Sequence, residues 1–203
     1  MSGIVLELQR EALDEAVSTE SLLRKAYLVA KKLKLKDFEE WLSQEQNGYV
    51  GQIPEYRNIR GEIKAWNPYH GWIPVVLSGK NVDEFTNLPI GLSISSIADS
   101  YSSSGGSIYL GLNSAMTDML NSTVDFMPTK YSFAVSKSEL YRIMSTVRNK
   151  ILDWAILLEE NEILGQGMTF TKEEKEIALN TQVINNYTNN FFSDTKDVEI
   201  QQG

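Results

Sequence analysis

The 203-residue chain has no cysteine and a single histidine, His70. Without cysteine there can be no disulfides, zinc-thiolate sites or iron–sulfur clusters, and such a composition is typical of a reducing compartment. Any triad or metal cluster built on histidine would have to use His70, which lies in a predicted surface turn at residues 67–71. The phosphate-binding loop, the dinucleotide fingerprint and the nucleophile elbow are also missing. The sequence therefore assigns no catalytic residue, no metal and no cofactor, and favours a non-enzymatic protein.

Long apolar runs and an excess of positive charge are missing too. No segment approaches the ~18 apolar residues of a membrane span. The first fifteen residues have no apolar stretch typical of a signal peptide. We therefore expect a cytoplasmic protein that does not act at a membrane. The net charge of −8 argues against general nucleic-acid binding, because phosphate contacts need clustered cations.

What the sequence has is helical periodicity. The longest pattern runs over residues 136–165 and predicts one helix as the spine of the core, with Trp154 buried beside Ile151 and Leu158. Ser136 with Glu139 and Thr171 with Glu174 have the spacing of capping boxes. Gly165 is the predicted stop of the long helix. Three further helices are predicted within the first fifty residues; the first covers residues 3–17 and has Leu6 and Leu13 on its apolar side.

Residues 56–77 are rich in β-branched and aromatic side chains and predict a β-hairpin, with Pro74 placing its second strand at an edge or a bulge. Further strands are predicted at residues 108–112 and 131–135. The predicted fold class is α+β. N-terminal helices and the long helix pack with a small, mostly antiparallel sheet. Residues 1–180 form this domain, and residues 181–203 form an Asn-rich β-type tail.

Two clusters of charge allow other functions. Asp153, Glu159 and Glu160 in the long helix are candidate ligands of a metal-dependent nuclease. The segment 24–36 carries six cations and no acid, which would suit a membrane-acting effector. We prefer solvated faces for both, with some of Arg24, Lys25, Lys31 and Lys32 facing acids of the long helix or of another chain. The aromatic set Tyr56, Trp66, Tyr69 and Trp72 could stack a base or bind a peptide, but hairpin packing is the preferred interpretation.

The tail is too polar to form a core alone, yet it is rich in β-formers. A lone two-stranded hairpin is marginal in water, whereas copies from several chains can pair edge to edge, with asparagine ladders and stacked aromatics. A disordered link to another domain is the rival interpretation. We predict a homo-oligomer whose contacts come from Val183, Ile184, Tyr187, Phe191, Phe192, Val198 and Ile200.

Four blocks of sequence carry a resemblance to a known family. They are IVLELQREALDEAVSTESLLRKAYLVAKKL, FEEWLSQEQNGY, IPEYRNIRGEIKAWNPYHGWIPV and VRNKILDWAILLEENEILGQGMTFTKEEK. Together they resemble the AbiTii domain of bacterial proteins associated with abortive infection, in which an infected cell stops growing or dies before phage is released. The tail, ending VEIQQG, resembles Asn-rich tails that often follow such domains. The resemblance implies a phage-defence protein that assembles through its tail, with a phage or host protein as a further partner.

Overall fold

The computed structural model describes residues 3–76, 85–123, 128–182 and 184. The helices are α1 (Ile4–Leu13), α2 (Thr19–Leu33), α3 (Lys36–Asn47), α4 (Ile94–Ser102), α5 (Ser114–Thr123), α6 (Lys137–Glu160) and α7 (Lys172–Asn180). The strands are β1 (Asn58–Asn67), β2 (Gly71–Pro74), β3 (Asn87–Pro89), β4 (Ser107–Gly111) and β5 (Tyr131–Ser136). Short 3₁₀ turns occupy Glu55–Arg57 and Gln166–Met168. The predicted α+β class is confirmed.

The sheet is antiparallel throughout its described pairings. Its order is β2-β1-β5-β4, and β3 pairs with the first residues of β1. Because side chains alternate along a strand, one face carries Ile63, Ala65, Phe133 and Val135, all buried. Helix α6 packs against β1 and β5 on this side. The opposite face carries Glu62, Lys64 and Trp66 together with the buried Ser132 and Ala134.

Helix α6 is the spine that its periodicity predicts. Its buried residues are Leu140, Ile143, Val147, Ile151, Trp154, Ala155 and Leu158. Trp154 is fully buried, and its ring lies 4.2 Å from that of Phe38. The helix packs against α1, α2 and α4 as well as the sheet. Its apolar side therefore joins the N-terminal helices to the strands in one core.

Two details of the helix ends differ from the prediction. Ser136 precedes α6 but makes no side-chain capping bond, and its hydroxyl bonds to that of Ser138 at 2.7 Å. Glu139 accepts from the Arg60 amide at 3.3 Å and from Arg142 at 3.0 Å. The helix ends at Glu160, before Gly165. Gly165 has a φ of 65°, and its carbonyl accepts from the Ile4 amide at 3.0 Å. It thus closes the start of α1, whereas the Thr171–Glu174 capping box forms as predicted.

Helix α1 is shorter than predicted and turned to another face. It ends at Leu13, whose side chain is 70% exposed, and it buries Ile4, Val5 and Leu8. At this end Asp14 Oδ1 accepts from the Ala16 amide at 2.9 Å in a local turn. The Arg148 guanidinium of α6 donates there to the carbonyls of Glu11 (2.8 Å), Ala12 (3.2 Å), Asp14 (2.7 Å) and Val17 (2.6 Å). These bonds satisfy the carbonyls that a helix leaves open at its C-terminus.

Candidate functional site

A buried polar cluster joins α3 to the start of the sheet. Glu45 and Arg57 are both fully buried and form an ion pair. Arg57 Nε donates to Glu45 Oε1 at 3.0 Å, and Nη2 donates to Oε2. Arg57 Nη1 also donates to the carbonyls of Ile90 (3.1 Å) and Leu92 (2.6 Å). One guanidinium therefore ties α3, β1 and the segment before α4 together.

Three aromatic residues complete this cluster. The hydroxyls of Tyr49 and Tyr56 both donate to Glu45 Oε1, at 2.6 Å for Tyr49. Trp41 Nε1 donates to the Tyr56 hydroxyl at 2.9 Å. The Arg57 guanidinium lies 4.7 Å from the centre of the Tyr49 ring. Burial comes first and the charge of Glu45 second in raising the pKa of both tyrosines far above the ordinary value of 10.0. Both hydroxyls therefore stay protonated donors.

Lys150 of α6 lies at the margin of the cluster. Its ammonium is 5.3 Å from the centre of the Tyr56 ring. Burial lowers its pKa, although the carboxylates of Asp153 and Glu45 act in the opposite direction. The polar groups of the cluster bond to one another, and such a saturated network is what a structural clamp requires. Sequence reading missed it, because Glu45 and Arg57 look like surface charges until α3 and β1 meet.

The predicted aromatic set is divided between two places. Tyr56 belongs to the buried cluster, and Tyr69 is 91% exposed at the hairpin turn. Trp66 and Trp72 do pack across the hairpin, with ring centres 5.3 Å apart. Trp72 also stacks on Tyr109 of β4 at 5.6 Å and 20°. His70 is exposed in the turn, where its amide donates to Asn67 Oδ1 at 3.1 Å.

A cleft of about 450 Å³ opens beside this stack. Its lining combines the aromatic Trp72 and Tyr109 with the polar Thr117, Thr129 and Lys130. Tyr131 also lines it; burial raises the pKa of this tyrosine, and its buried hydroxyl has no hydrogen-bond partner among the described residues. The cleft has the character of a pocket for an aromatic or apolar side chain, with polar groups at its rim.

The basic segment 24–36 is largely neutralised by its neighbours. Arg24 pairs with Glu20 at 2.5 Å, and Lys25 pairs with Glu11 and, at 3.7 Å, with Glu7. Lys31 pairs with Glu39 at 3.3 Å, and Lys32 donates to the carbonyl of Met168. The expected carboxylate pairing is confirmed, but its partners come from α1, α2 and α3 and not from the long helix. No described helix is long and apolar enough to cross a bilayer.

The acidic residues of α6 stay apart. Asp153, Glu159 and Glu160 are all exposed, and Glu159 accepts from Gln9 of α1 at 2.8 Å. Across residues 3–76, 85–123, 128–182 and 184, no three carboxylate or imidazole side chains converge as metal ligands would. The structure therefore does not assemble the predicted nuclease ligands into a metal site.

Comparison with known families identifies the family to which the chain belongs. The family model AbiTii matches residues 3–183, which is most of the sequence. The chain belongs to the AbiTii family. The family supports a role in abortive infection, the bacterial defence against phage. Searches of curated proteins and of solved structures found no match.

The AbiTii match places the buried cluster in a wider context. Glu45 and Tyr49 lie in the second block of resemblance, Tyr56 and Arg57 in the third, and Lys150 in the fourth. Three of the four blocks therefore meet at this one ion pair, the fourth block from almost a hundred positions further along the chain. The match also spans the central region 78–130, which the four blocks leave out.

Of the seven residues predicted for assembly, Ile184 alone lies within the described part of the chain. It is fully buried in the core of the AbiTii domain and has helical backbone. Val183, Tyr187, Phe191, Phe192, Val198 and Ile200 lie outside the described residues. Their role in assembly stays a prediction.

Proposed function

We propose that this AbiTii protein is a non-enzymatic phage-defence protein that self-assembles through its tail in the bacterial cytoplasm. Family membership supports the defence role. A phage or host protein is the proposed trigger or target. Assembly supplies what a small defence scaffold needs, because many copies multiply weak contacts with such a partner.

The proposal of assembly is supported by the composition of residues 185–203, which differs from that of the described core. The described core runs from Ile4 to Ile184. The nineteen residues that follow Ile184 contain four asparagines and one threonine before Phe191, Phe192 and the alternating run DVEIQ. Such a segment buries too little apolar surface to fold alone but pairs readily as a strand. A second chain is the partner that we propose.

Light scattering after size exclusion tests assembly. The full chain is compared with a shortened chain that ends at Ile184, because a cut after Asn180 would remove a buried core residue. We expect the full chain to have the mass of several copies and the shortened chain that of one. Circular dichroism and melting verify that both fold. Equal masses, or a monomeric full chain at micromolar concentration, would overturn tail-driven assembly.

Point substitutions refine the comparison. Replacing Tyr187, Phe191 and Phe192 together by serine should dissociate the oligomer, because the stacked aromatics would be lost. A matched control replaces Gln201 and Gln202 by serine and should keep the wild-type mass.

Phage challenge of bacteria expressing the full chain tests the defence role separately. We expect fewer plaques with the full chain and a return towards the vector level with the shortened chain. Protection by the shortened chain equal to that of the full chain would separate defence from assembly. An absence of protection by either chain, against a panel of phages, would count against the defence role itself.

A further inference from the structure

The hydrogen bonds of β1 establish which way its backbone groups point. The Val75 amide donates to the Ile63 carbonyl at 3.0 Å, so Ile63 faces β2. The Trp66 amide donates to the Lys130 carbonyl at 2.8 Å, so Trp66 faces the β5 side. In an antiparallel sheet the amide and carbonyl of one residue point to the same side, and that side alternates along the strand.

The same alternation carries across β5 to β4. Phe133 lies opposite Ile63 and Leu110, and Val135 lies opposite Ile108. Since the amide and carbonyl of Ile63 point away from β5, those of Phe133 and Val135 point towards β4. The amides and carbonyls of their partners Leu110 and Ile108 point towards β5. The outer edge of β4 therefore presents the amides and carbonyls of the residues between them: Ser107, Tyr109 and Gly111. None of these groups bonds to any described residue.

The two ends of the sheet are protected very differently. On β2, Pro74 lies opposite Lys64, a residue that faces β5, so the missing amide of Pro74 falls on the outer edge. A proline at such a position blocks the addition of another strand. Strand β4, with the sequence SIYLG, has neither a proline nor a charge. No residue in the described part of the chain pairs with its outer edge.

The cleft beside the Trp72–Tyr109 stack adds a second feature to this edge. Tyr109 and Gly111 belong to both the cleft lining and the outward-facing positions of β4. Strand addition draws its affinity from main-chain hydrogen bonds and its specificity from pockets that take alternate side chains. The edge and the cleft together supply both.

We propose that the outer edge of β4 accepts the tail of a second copy of this chain, with a tail aromatic seated in the cleft. This inference rests on the tail-driven assembly proposed above and names its docking surface. The run DVEIQ alternates Val198 and Ile200 with polar residues, as an added edge strand requires. Nineteen residues beyond Ile184 span up to ~60 Å when extended, which is ample to reach a neighbouring molecule.

A donor tail and an acceptor edge on every chain make a head-to-tail interface. Such an interface closes into a ring or continues as a filament. The tail can therefore be removed from one chain and the edge blocked on another, and the two altered chains can then be mixed. Tail-to-tail pairing would not allow such a mixture to assemble.

The test compares Tyr109→Pro with Tyr109→Ala in the full chain. Both remove the ring that stacks on Trp72, but only proline removes the outward amide and blocks the edge. We expect Tyr109→Ala to keep more of the oligomer and Tyr109→Pro to fall to the mass of one chain, 22.9 kDa. Ser107→Pro against Ser107→Ala repeats the comparison at the first residue of the strand, where proline is better tolerated. Circular dichroism identifies variants that fail to fold.

Mixing completes the test. The Tyr109→Pro chain keeps a tail, and the chain ending at Ile184 keeps an edge. We expect each to be a monomer alone and the two to form a 1:1 heterodimer when combined. Folded proline variants of wild-type mass would overturn the docking surface and leave tail-driven assembly standing. Two folded monomers that fail to combine would also overturn the docking surface, because a monomeric Tyr109→Pro chain already excludes tail-to-tail pairing. A shortened chain as heavy as the full chain would overturn assembly itself.

Discussion

Replacing Arg57 by methionine should destabilise the domain far more than an exposed arginine would. The Arg57 side chain is fully buried and donates to both Glu45 oxygens and to two main-chain carbonyls. Methionine fills part of the volume but donates nothing. Glu45 is then left as a buried carboxylate held only by Tyr49 and Tyr56. Breaking a buried pair in this way costs about 3–5 kcal/mol, a large part of the ~5–15 kcal/mol by which a domain is stable.

Arg142→Met is the matched control. Arg142 also donates to two carbonyls, those of Tyr56 (2.9 Å) and Asn58 (2.5 Å), and pairs with Glu139 at 3.0 Å. Its side chain is 42% exposed, so water replaces the lost bonds and we expect a loss of ~1 kcal/mol or less. Urea unfolding followed by tryptophan fluorescence gives both free energies. Losses that agree within ~0.5 kcal/mol would refute the role assigned to burial.

A double variant separates charge from shape. In Glu45→Leu with Arg57→Met no unpaired charge remains, so the loss should be smaller than the sum of the two single losses. Additive losses would mean that the two side chains contribute independently, and the ion pair would then not be the clamp.

Two further predictions concern the long helix and the turn after it. Trp154→Ala should cost about 3–5 kcal/mol because the ring is fully buried, whereas Ile156→Ala on the exposed side of α6 should melt near the wild type. Burial acts to raise the pKa of Glu174, but hydrogen bonds from the amides of Gly165, Thr171 and Leu164 act more strongly in the opposite direction. The net result is that Glu174 has a lowered pKa. Its stabilising effect is present above the unfolded pKa near 4.5 and is lost as the pH falls. Glu174→Gln should flatten the fall in melting temperature between pH 7 and 3, unlike the exposed neighbour Glu173→Gln; an unchanged slope would refute this.

Periodicity predicted the long helix well because α6 packs along its whole length. All seven of its buried residues follow the three-to-four spacing that sequence reading used. The prediction for helix α1 was wrong in its last residue and in its buried face. Leu6 and Leu13 define an apolar side only if the helix continues, but it ends at Leu13, where Asp14 turns the chain by accepting from the Ala16 amide. A side chain 135 positions later, Arg148, binds the carbonyls at this end, and no local pattern contains that contact.

Capping and charge show the same limit. Ser136 and Glu139 have the right spacing, but the Ser136 hydroxyl bonds to Ser138 and Glu139 accepts from Arg60 and Arg142. Glu174 caps as predicted through one oxygen while the other accepts from the Leu164 and Gly165 amides. The cations of α2 pair with carboxylates as expected. Their partners are nearer helices because α2 lies beside α1 and α3. Spacing predicts which bonds can form, and packing decides which of them do.

The candidate docking surface follows from a combination that neither sequence nor strand order contains alone. Pro74 is visible in the sequence, but only the register Lys64–Pro74 shows that its missing amide faces outwards. Tyr109 is an ordinary strand residue until the alternation from Ile63 through Phe133 shows that its amide is unpaired. The helices cover one face of the sheet, the proline guards one edge, and the Arg57 clamp holds α3 against the strands. The outer edge of β4 pairs with no described residue, and it is there that we propose that the tail of a second chain binds.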